Sequence, residues 1–499
     1  MRTLSKSKLL AFRQCPKRLW LEIHQPELRA DSASTQASFS AGHQVGDIAR
    51  SLYNPKGKGI LVDLQAEGFD AAFARTAALL DSTQPIFEAG LRAAGALAFA
   101  DVLMPAKKAG QRVWRMIEVK SSTSVKDYHR DDVAIQAYVA KAAGVPLASI
   151  ALAHIDSHWV YLGKNDYQGM LVESDLTLEA FARSDEVKSW IAAAQSTAAK
   201  RKEPQIKTGE HCAEPYACGF IDYCQSKEPW VEHSIVWLPG KLSKGLQAQI
   251  DTTGITELGD APNDMLNSRQ LRVKAATVSG HAFFDSAGAG QALAPYKLPG
   301  YFIDVETIQF AVPIWESTRP YQQIPFQFSL HRLSRTHKTD HMQFLDLSGN
   351  DPSQAFAKAL VKACSERGPI FVYNAGFEKG RITELAVRFP HLADGLLAIN
   401  ERVVDLLPIA REHYYHPSQQ GSWSIKKVLP AVCPDLSYDQ LGGIHDGAMV
   451  MNAYLEALSP DTPATRKTDI RQQLQTYCAL DTYAMVRLWA VFSGQTLAH

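Results

Sequence analysis

A chain of 499 residues is longer than one ordinary hydrophobic core sustains, so two to four domains are expected. Its 46% hydrophobic and 21% charged content is that of a globular protein and argues against long disordered tracts, and 52 basic against 52 acidic residues exclude a surface coated uniformly in positive charge. No uncharged apolar run of about 18 residues is present and the start, Met1-Arg-Thr-Leu-Ser-Lys6, has no apolar signal segment, so a cytoplasmic protein without a membrane partner is expected.

In chain order, residues 1 to about 228 read as a mixed α/β domain. Helices are expected over 5–24, 36–53 and 68–81, then strands at 85–89, 97–103 and 112–120, a helix carrying Asp132 to Val139, and strands at 149–154 and 158–161. Residues 229–298 carry weaker signals interrupted by Pro239-Gly240, Gly280 and Gly288-Ala-Gly290, and read as a small helical connector. From 299 to 499 strands are expected at 300–306, 324–330, 342–346 and 370–373, with helices between the later ones and a last helix over 466–492. Antiparallel strands followed by strand–helix alternation point to one α/β layer fold. Charge balance does not exclude nucleic acid, because phosphates are neutralised by local clusters. Candidates are Arg13, Lys17 and Arg18; Lys200, Arg201 and Lys202; Lys379 and Arg381; and Lys426 and Lys427, although such a cluster is more often a solvated face than a contact.

Four of the seven cysteines are divided unusually. Cys15 stands in the first helix-like stretch, and Cys212, Cys218 and Cys224 follow almost two hundred residues later, each five residues from the next, a pattern that suggests a cluster pinning the first helix to the end of a domain. Between them lie Asp101 and Glu118-Val-Lys120. Strand alternation puts Glu118 and Lys120 on one side with Val119 on the other, so a carboxylate and an ammonium beside Asp101 can hold a divalent ion and a water; Glu88 and Gln136 are further candidates, and a salt-bridged strand is the alternative. The stretch Leu4-Ser-x-Ser-x-Leu-x-x-Phe-x-x-Cys15-Pro, Asp101, Glu118-Val-Lys120, Gln136-Ala-Tyr138 and Cys212-x5-Cys218-x5-Cys224 resembles the RecB-like branch of the PD-(D/E)XK nucleases that carries an iron–sulphur clamp. The resemblance implies a restriction-endonuclease-like core over 1–228, metal binding by Asp101 and Glu118, water activation by Lys120, support from Gln136 and Tyr138, and a 4Fe-4S cluster on Cys15, Cys212, Cys218 and Cys224. Relatives often add a metal-binding histidine from the early helix; His43 does not align firmly with it. Zinc is the alternative for four cysteines, but structural zinc sites bring close Cys pairs from each end, and one cysteine opposite three does not. Iron–sulphur ligation tolerates the irregular spacing. Cys364, Cys433 and Cys478 read as small buried residues.

A second set of acids lies in the C-terminal part. Asp304 and Glu306 face one way from a strand, and Tyr477 and Asp481, four apart in a helix, share a face. Glu378, in Tyr373-Asn-Ala-Gly-Phe377-Glu378 at a strand-to-helix junction, supplies a fourth carboxylate, and Asp405 offers another. Asp304-x-Glu306, Asn374-x-x-Phe377-Glu378 and Tyr477-x-x-x-Asp481 resemble, in order, the motifs of the DEDD exonucleases of the RNase H-like superfamily in their tyrosine variant. The resemblance implies removal of nucleotides from 3′ ends with two metal ions; the middle motif departs from it, ending in Glu where Asp is usual. In 421–427, Trp423 is available for base stacking or for the core, and Lys426 and Lys427 for phosphate.

The expected whole is an α/β multidomain protein: a restriction-endonuclease-like core and an RNase H-like domain joined by a helical connector. The expected function is a Mg²⁺- or Mn²⁺-dependent DNA nuclease acting on single strands or ends, in end processing, repair or defence. A ribonuclease and a nucleic-acid-binding scaffold with a silent site are the alternatives. No Gly-x4-Gly-Lys-Ser/Thr loop is present, so a helicase partner would be a separate chain.

Overall fold

The computed structural model describes residues 2–438 and 441–498, the side chains of Ala33 and Ser34 excepted, and divides the chain into two units. Each is a mixed α/β layer structure built on one mixed sheet. The first unit comprises Met1–Glu228 together with Gln309–Gln322; the second comprises Pro229–Ile308 and Gln323–His499. Among the described residues no helix is long and apolar enough to cross a membrane.

The seven-stranded sheet of the first unit contains β1 (Leu4–Ser5), β2 (Ile60–Leu61), β3 (Ile86–Ala93), β4 (Ala96–Lys108), β5 (Gln111–Lys120), β6 (Leu147–Ile155) and β7 (Leu171–Asp175), in the order β2-β3-β4-β5-β6-β7 with β1 beside β4. β3, β4 and β5 are antiparallel; β5 and β6 are parallel, and helix Asp127–Ala142 makes the crossover that a parallel pair requires. On β5, Trp114 and Met116 join the main core with Val133 and Ile135 of that helix, while Ile117 packs on the opposite face with Phe87, Val102 and Ala153. Glu118 and Lys120 therefore project on the helix-covered face, as period-two alternation requires.

Two local expectations fail for identifiable reasons. The first helix is two, Lys6–Gln14 and Pro16–His24, because Cys15 before Pro16 is driven out of the helical region to φ −160°. Residues 158–161 form no strand. Asp156 caps the turn by accepting the His158 N–H at 2.8 Å, and Tyr161 instead stacks on Tyr167 at 5.0 Å and exchanges backbone hydrogen bonds with Ser317 and Thr318. The sheet's edge is β7 instead.

In the second unit, β8 (Phe283–Phe284) pairs with β14 (Tyr414–Tyr415). The main sheet has the order β11-β10-β9-β12-β13, made from β9 (Gly300–Ile308), β10 (Ile324–Leu333), β11 (Thr339–Leu345), β12 (Ile370–Val372) and β13 (Val403–Asp405). β9, β10 and β11 are antiparallel, and β12 and β13 run parallel to β9. Tyr301, Ile303 and Val305 face one core with Phe356, Leu360 and Ile382; Phe302 faces the other with Phe371 and Trp489. Asp304 and Glu306 share the Phe302 side, where the long helix Ala464–Ser493 packs across β9 and β10. The segment 229–298, expected to be a connector, is helical at Lys244–Thr253, Ser268–Ser279 and Ser286–Leu293, but it is not a spacer. Leu246, Val273 and Leu293 are buried in the same core as Phe302 and Trp489, so it belongs to the second unit.

Candidate metal centres and a four-cysteine cavity

At the first centre Glu118 is 1% exposed, and both of its oxygens are engaged. Oε1 accepts from Lys120 Nζ at 2.6 Å and from Lys6 Nζ at 2.7 Å, and Oε2 from Gln136 Nε2 at 2.5 Å. Asp132, one helical turn before Gln136, completes the network. Its carboxylate accepts from Lys120 at 2.6 Å and from Gln136 at 2.9 Å, and it lies 3.1 Å from Lys6 Nζ. Asp101 Oδ2 accepts the Val119 N–H at 2.6 Å. Burial and the neighbouring Glu118 push the Asp101 carboxyl well up. At Asp132 burial is outweighed by Lys120 and Lys6, and the group stays well below the usual carboxylate range. Burial works against the Lys120 charge, yet Asp132, Glu118 and Asp101 together raise it well above an ordinary lysine. Lys120 thus stays an ammonium here, while the Asp101 carboxyl is held toward its protonated form.

The expected residues Asp101, Glu118, Lys120 and Gln136 therefore come together. His43, from helix Ala33–Leu52, lines one cavity with Asp101, Glu88, Asp47 and Arg50. Glu88 sits at φ 54°, a left-handed conformation rare for a non-glycine residue, at the point of β3 opposite Asp101; burial raises its carboxyl, against the pull of Arg50. Tyr138 does not reach the site. Two residues past Gln136 in a helix lies on the far side, and Tyr138 packs on the hydrophobic core. Lys6 and Asp132 were not singled out by sequence. Each is an ordinary charged residue on a helix, and only the crossing of the two helices over β5 brings them to Glu118.

At the second centre, the ligand atoms of Asp304, Glu306 and Cys478 lie within 4.8 Å of one another. Asp481, one turn after Tyr477, accepts hydrogen bonds from the Tyr477 and Tyr438 hydroxyls. Glu378, 5% exposed, has a buried Oε2 with no hydrogen-bond partner. Burial and the proximity of Glu378 push Asp304 up to about 7, burial pushes Glu378 itself up to about 7, and burial with Asp304 and Asp481 raises Glu306 well above a normal carboxyl. Acids from β9, from the first turn of helix Gly376–Arg388 and from helix Ala464–Ser493 thus repel one another at one place, which is the electrostatic condition for holding cations. Burial and Asp481 keep the Tyr477 and Tyr438 phenols protonated far above the ordinary tyrosine range.

The structure decides the surroundings of three further residues. Asp405 is not placed as a free ligand: its carboxylate accepts the N–H groups of Asn374 at 2.9 Å, Ala375 at 3.0 Å and Leu407 at 2.9 Å, so it fixes the turn that presents Glu378. Asn374 in that turn has φ 78°. Trp423 is core, 5% exposed, with its indole N–H donated to the Tyr414 carbonyl at 2.8 Å, and is closed to base stacking. Cys478 is buried, as expected, and its Sγ lies 3.6 Å from Asp304 Oδ2. Lys426, by contrast, lies at this centre, its Nζ 5.2 Å from the Tyr477 ring and 5.6 Å from that of Tyr438. Tyr438 was missed because nothing in its local sequence marks it.

Cys15, Cys212, Cys218 and Cys224 line a single cavity with Lys17, Arg18 and Phe220, and none is in a disulfide. No three of their sulphurs lie within 4.8 Å of one another, whereas tetrahedral zinc with Zn–S bonds near 2.3 Å requires separations of about 3.8 Å. Four thiols lining one cavity are a donor set that iron–sulphur ligation uses. Burial pushes the Cys224 thiol up to about 11, against the pull of Lys17, and raises Cys218 as well. Gln14, at the end of helix Lys6–Gln14, donates to the carbonyls of His211 at 2.8 Å, Glu214 at 3.1 Å and Tyr216 at 2.8 Å, tying that helix to the cysteine segment. Lys17 and Arg18 are buried, and Arg18 pairs with Glu22 at 2.9 Å, so neither serves as an open phosphate contact.

The family described as Domain of unknown function (DUF2779) matches residues 301–424, from β9 through the Glu378 turn to Trp423. No curated protein matches the chain.

Proposed function

We propose that the protein is a metal-dependent nuclease with two phosphodiesterase centres, related to RecB-like PD-(D/E)XK nucleases in its first unit and to DEDD exonucleases in its second, with DNA single strands or ends as substrate. The observation that carries this reading is the convergence of Asp304, Glu306, Glu378 and Asp481 from three separate elements, where burial first, and at Asp304, Glu306 and Asp481 the neighbouring acids second, push the carboxyls up. Such an arrangement is costly for a fold and is rationalised by cations that neutralise it.

Asp304, Glu306, Asp481 and Glu378 would hold Mg²⁺ or Mn²⁺ in the second centre, and Asp101 and Glu118 in the first, with His43, which lines the same cavity as Asp101, as a further donor. A bound ion supplies polarisation of the phosphoryl oxygen and a more acidic water. The chain's own part is to orient. Tyr477 keeps its proton and donates it in a hydrogen bond to Asp481, which leaves its oxygen free to accept from a water beside the acids; Lys120 offers a fixed ammonium beside Glu118, and Gln136 holds Glu118 Oε2 in place. In hydrolysis a water oxygen bonds to phosphorus while the bridging P–O bond breaks. The leaving oxygen keeps the electron pair and is protonated from solvent, and the attacking water gives its proton to solvent. The four cysteines would hold a 4Fe-4S cluster that fastens helix Lys6–Gln14.

The test is digestion of end-labelled single- and double-stranded DNA and RNA with Mg²⁺ or Mn²⁺, using wild type, Lys120→Ala and Asp304→Asn. Cleavage that needs metal, loses one set of products with Lys120→Ala and the other with Asp304→Asn, is expected. Binding without cleavage would replace the reading by a scaffold, and cleavage confined to ribose-containing strands by a ribonuclease.

A further inference from the structure

The first centre contains a cation that its motif does not account for. Lys6 leaves the first turn of helix Lys6–Gln14, and its Nζ reaches Glu118 Oε1 at 2.7 Å and Asp132 Oδ1 at 3.1 Å; its side chain is 20% exposed. Lys120 contacts the same Glu118 oxygen from the opposite element and the other oxygen of Asp132. Two ammoniums thus share two carboxylates, where a structural salt bridge needs only one of each. The arrangement is also asymmetric. Lys120 is anchored on a central strand, whereas Lys6 arrives on a short helix with Ser5 as its N-cap, at 3.3 Å from the Lys8 N–H, and with Gln14 at the far end bound to three carbonyls of the cysteine segment.

We propose that Lys6 is a second catalytic ammonium of the first centre, held at the scissile phosphate by a helix whose other end is fastened to the cysteine cavity. This rests on the nuclease reading of that centre. In the free protein the ammonium is stored on Glu118 and Asp132, two buried acids that keep it charged and pointed at the site. If Glu118 Oε1 took a divalent cation, with Oε2 still held by Gln136, Lys6 would leave that oxygen and stay paired with Asp132. It then donates to a non-bridging phosphate oxygen, where negative charge grows as water attacks. Lys6 gives up no proton; Lys120 remains beside the attacking water. A fixed donor aimed at developing charge is worth far more than an exposed ion pair, because its orientation is established before the reaction begins. The helix also explains a use for the clamp: Lys6, Leu10, Arg13 and Gln14 follow one another along one helical face, so a shift at the Gln14 end moves the ammonium at the other.

The experiment uses the full-length chain carrying Asp304→Asn, so that cleavage reports the first centre alone, and compares it with Lys6→Met, Lys6→Arg and Lys120→Ala added singly. Turnover, KM, binding of the labelled strand without metal and thermal midpoint are measured for each. The expected result is a fall in kcat of ~100-fold or more for Lys6→Met, the scale of losing one preorganised donor, with binding within about three-fold and the midpoint little changed. Lys6→Arg should recover most of that loss, since it restores charge and donors at similar reach. Lys6→Met turnover within about three-fold of its parent overturns the proposal. So does a loss that Lys6→Arg leaves unrescued and that parallels a drop in thermal midpoint, because Lys6 is then a structural counter-ion. If the Asp304→Asn parent cleaves none of the polymers, the nuclease reading of the first centre has failed and Lys6 with it; cleavage that Lys120→Ala abolishes and Lys6→Met spares defeats only the present proposal.

Discussion

At the scale of single residues, the most informative position is Glu378. Its buried Oε2 has no partner, and its extra methylene stands where the resembled motif has Asp. Glu378→Gln is expected to abolish second-centre cleavage as fully as Asp304→Asn, while Glu378→Asp retains it; product analysis on 3′-labelled strands decides. The same residues predict a pH dependence. Asp304 and Glu378, both held at about 7 against ordinary values of 3.8 and 4.5, bind more protons folded than unfolded between about pH 4 and 7. The metal-free protein should therefore lose stability as pH rises through that window and level off above it. Thermal melts in chelator should show the decline, Mn²⁺ should reverse it, and Asp304→Asn should make it shallower, leaving the part due to Glu378. Asp405→Asn is expected to behave differently, because a side chain capping three backbone N–H groups is worth about 1–2 kcal/mol. Its melting point should fall while metal affinity, read by calorimetry, stays close to wild type.

At the scale of elements, the break between the first two helices sets the position of Cys15, and the cysteine segment returns to it. Protein purified without oxygen is expected to be brown, with Cys15→Ala or Cys218→Ala bleaching it and lowering the stability of the first unit; a colourless protein with stoichiometric zinc would contradict this. In the second unit the turn after β14 is equally demanding. Gly421 has φ +78°, and a Cβ there would stand 1.9 Å from the Trp237 carbonyl oxygen. Gly421→Ala should destabilise by ~2 kcal/mol or more, combining left-handed strain with a backbone clash that no side-chain rotation relieves. Urea unfolding of the variant measures it.

At the scale of the molecule, the connection from β9 to β10 is the unusual feature. Residues 309–322 leave the sheet that carries Asp304 and Glu306 and are counted within the first unit. Ala311 and Val312 are buried there with Val45, Ile155 and Met170, and the Tyr321 hydroxyl donates to the carbonyl of Ser121, the residue after Lys120. A fragment of residues 229–499 would expose Ala311, Val312 and Trp315, which are 4%, 8% and 8% exposed in the intact chain. Such a fragment is expected to aggregate, and replacing 310–321 with a short Asn-Gly turn should restore a soluble, monomeric species by size-exclusion chromatography.

Local sequence carried the strands that bear the acids, because Asp304-x-Glu306 and Glu118-x-Lys120 are placed on one face by period-two alternation alone, and Tyr477 and Asp481 on one face by helical geometry. It also carried the mixed α/β class and the grouping of Cys15 with Cys212, Cys218 and Cys224, whose spacing serves no local purpose. Tertiary structure decided what alternation and spacing cannot encode. It decided which helix crosses β5 and so brings Lys6 and Asp132 to Glu118. It sent Tyr438, Lys426 and Cys478 to the second centre, and withdrew Asp405 into a turn and Trp423 into the core. The segment 229–298 shows the same limit, since its helices were legible but their burial against Phe302 and Trp489 was not. The physical reason is common to all of these. A periodic pattern reports which face of an element is buried, but the partner that buries it, and the charged groups carried along, are chosen by packing between residues far apart in the chain.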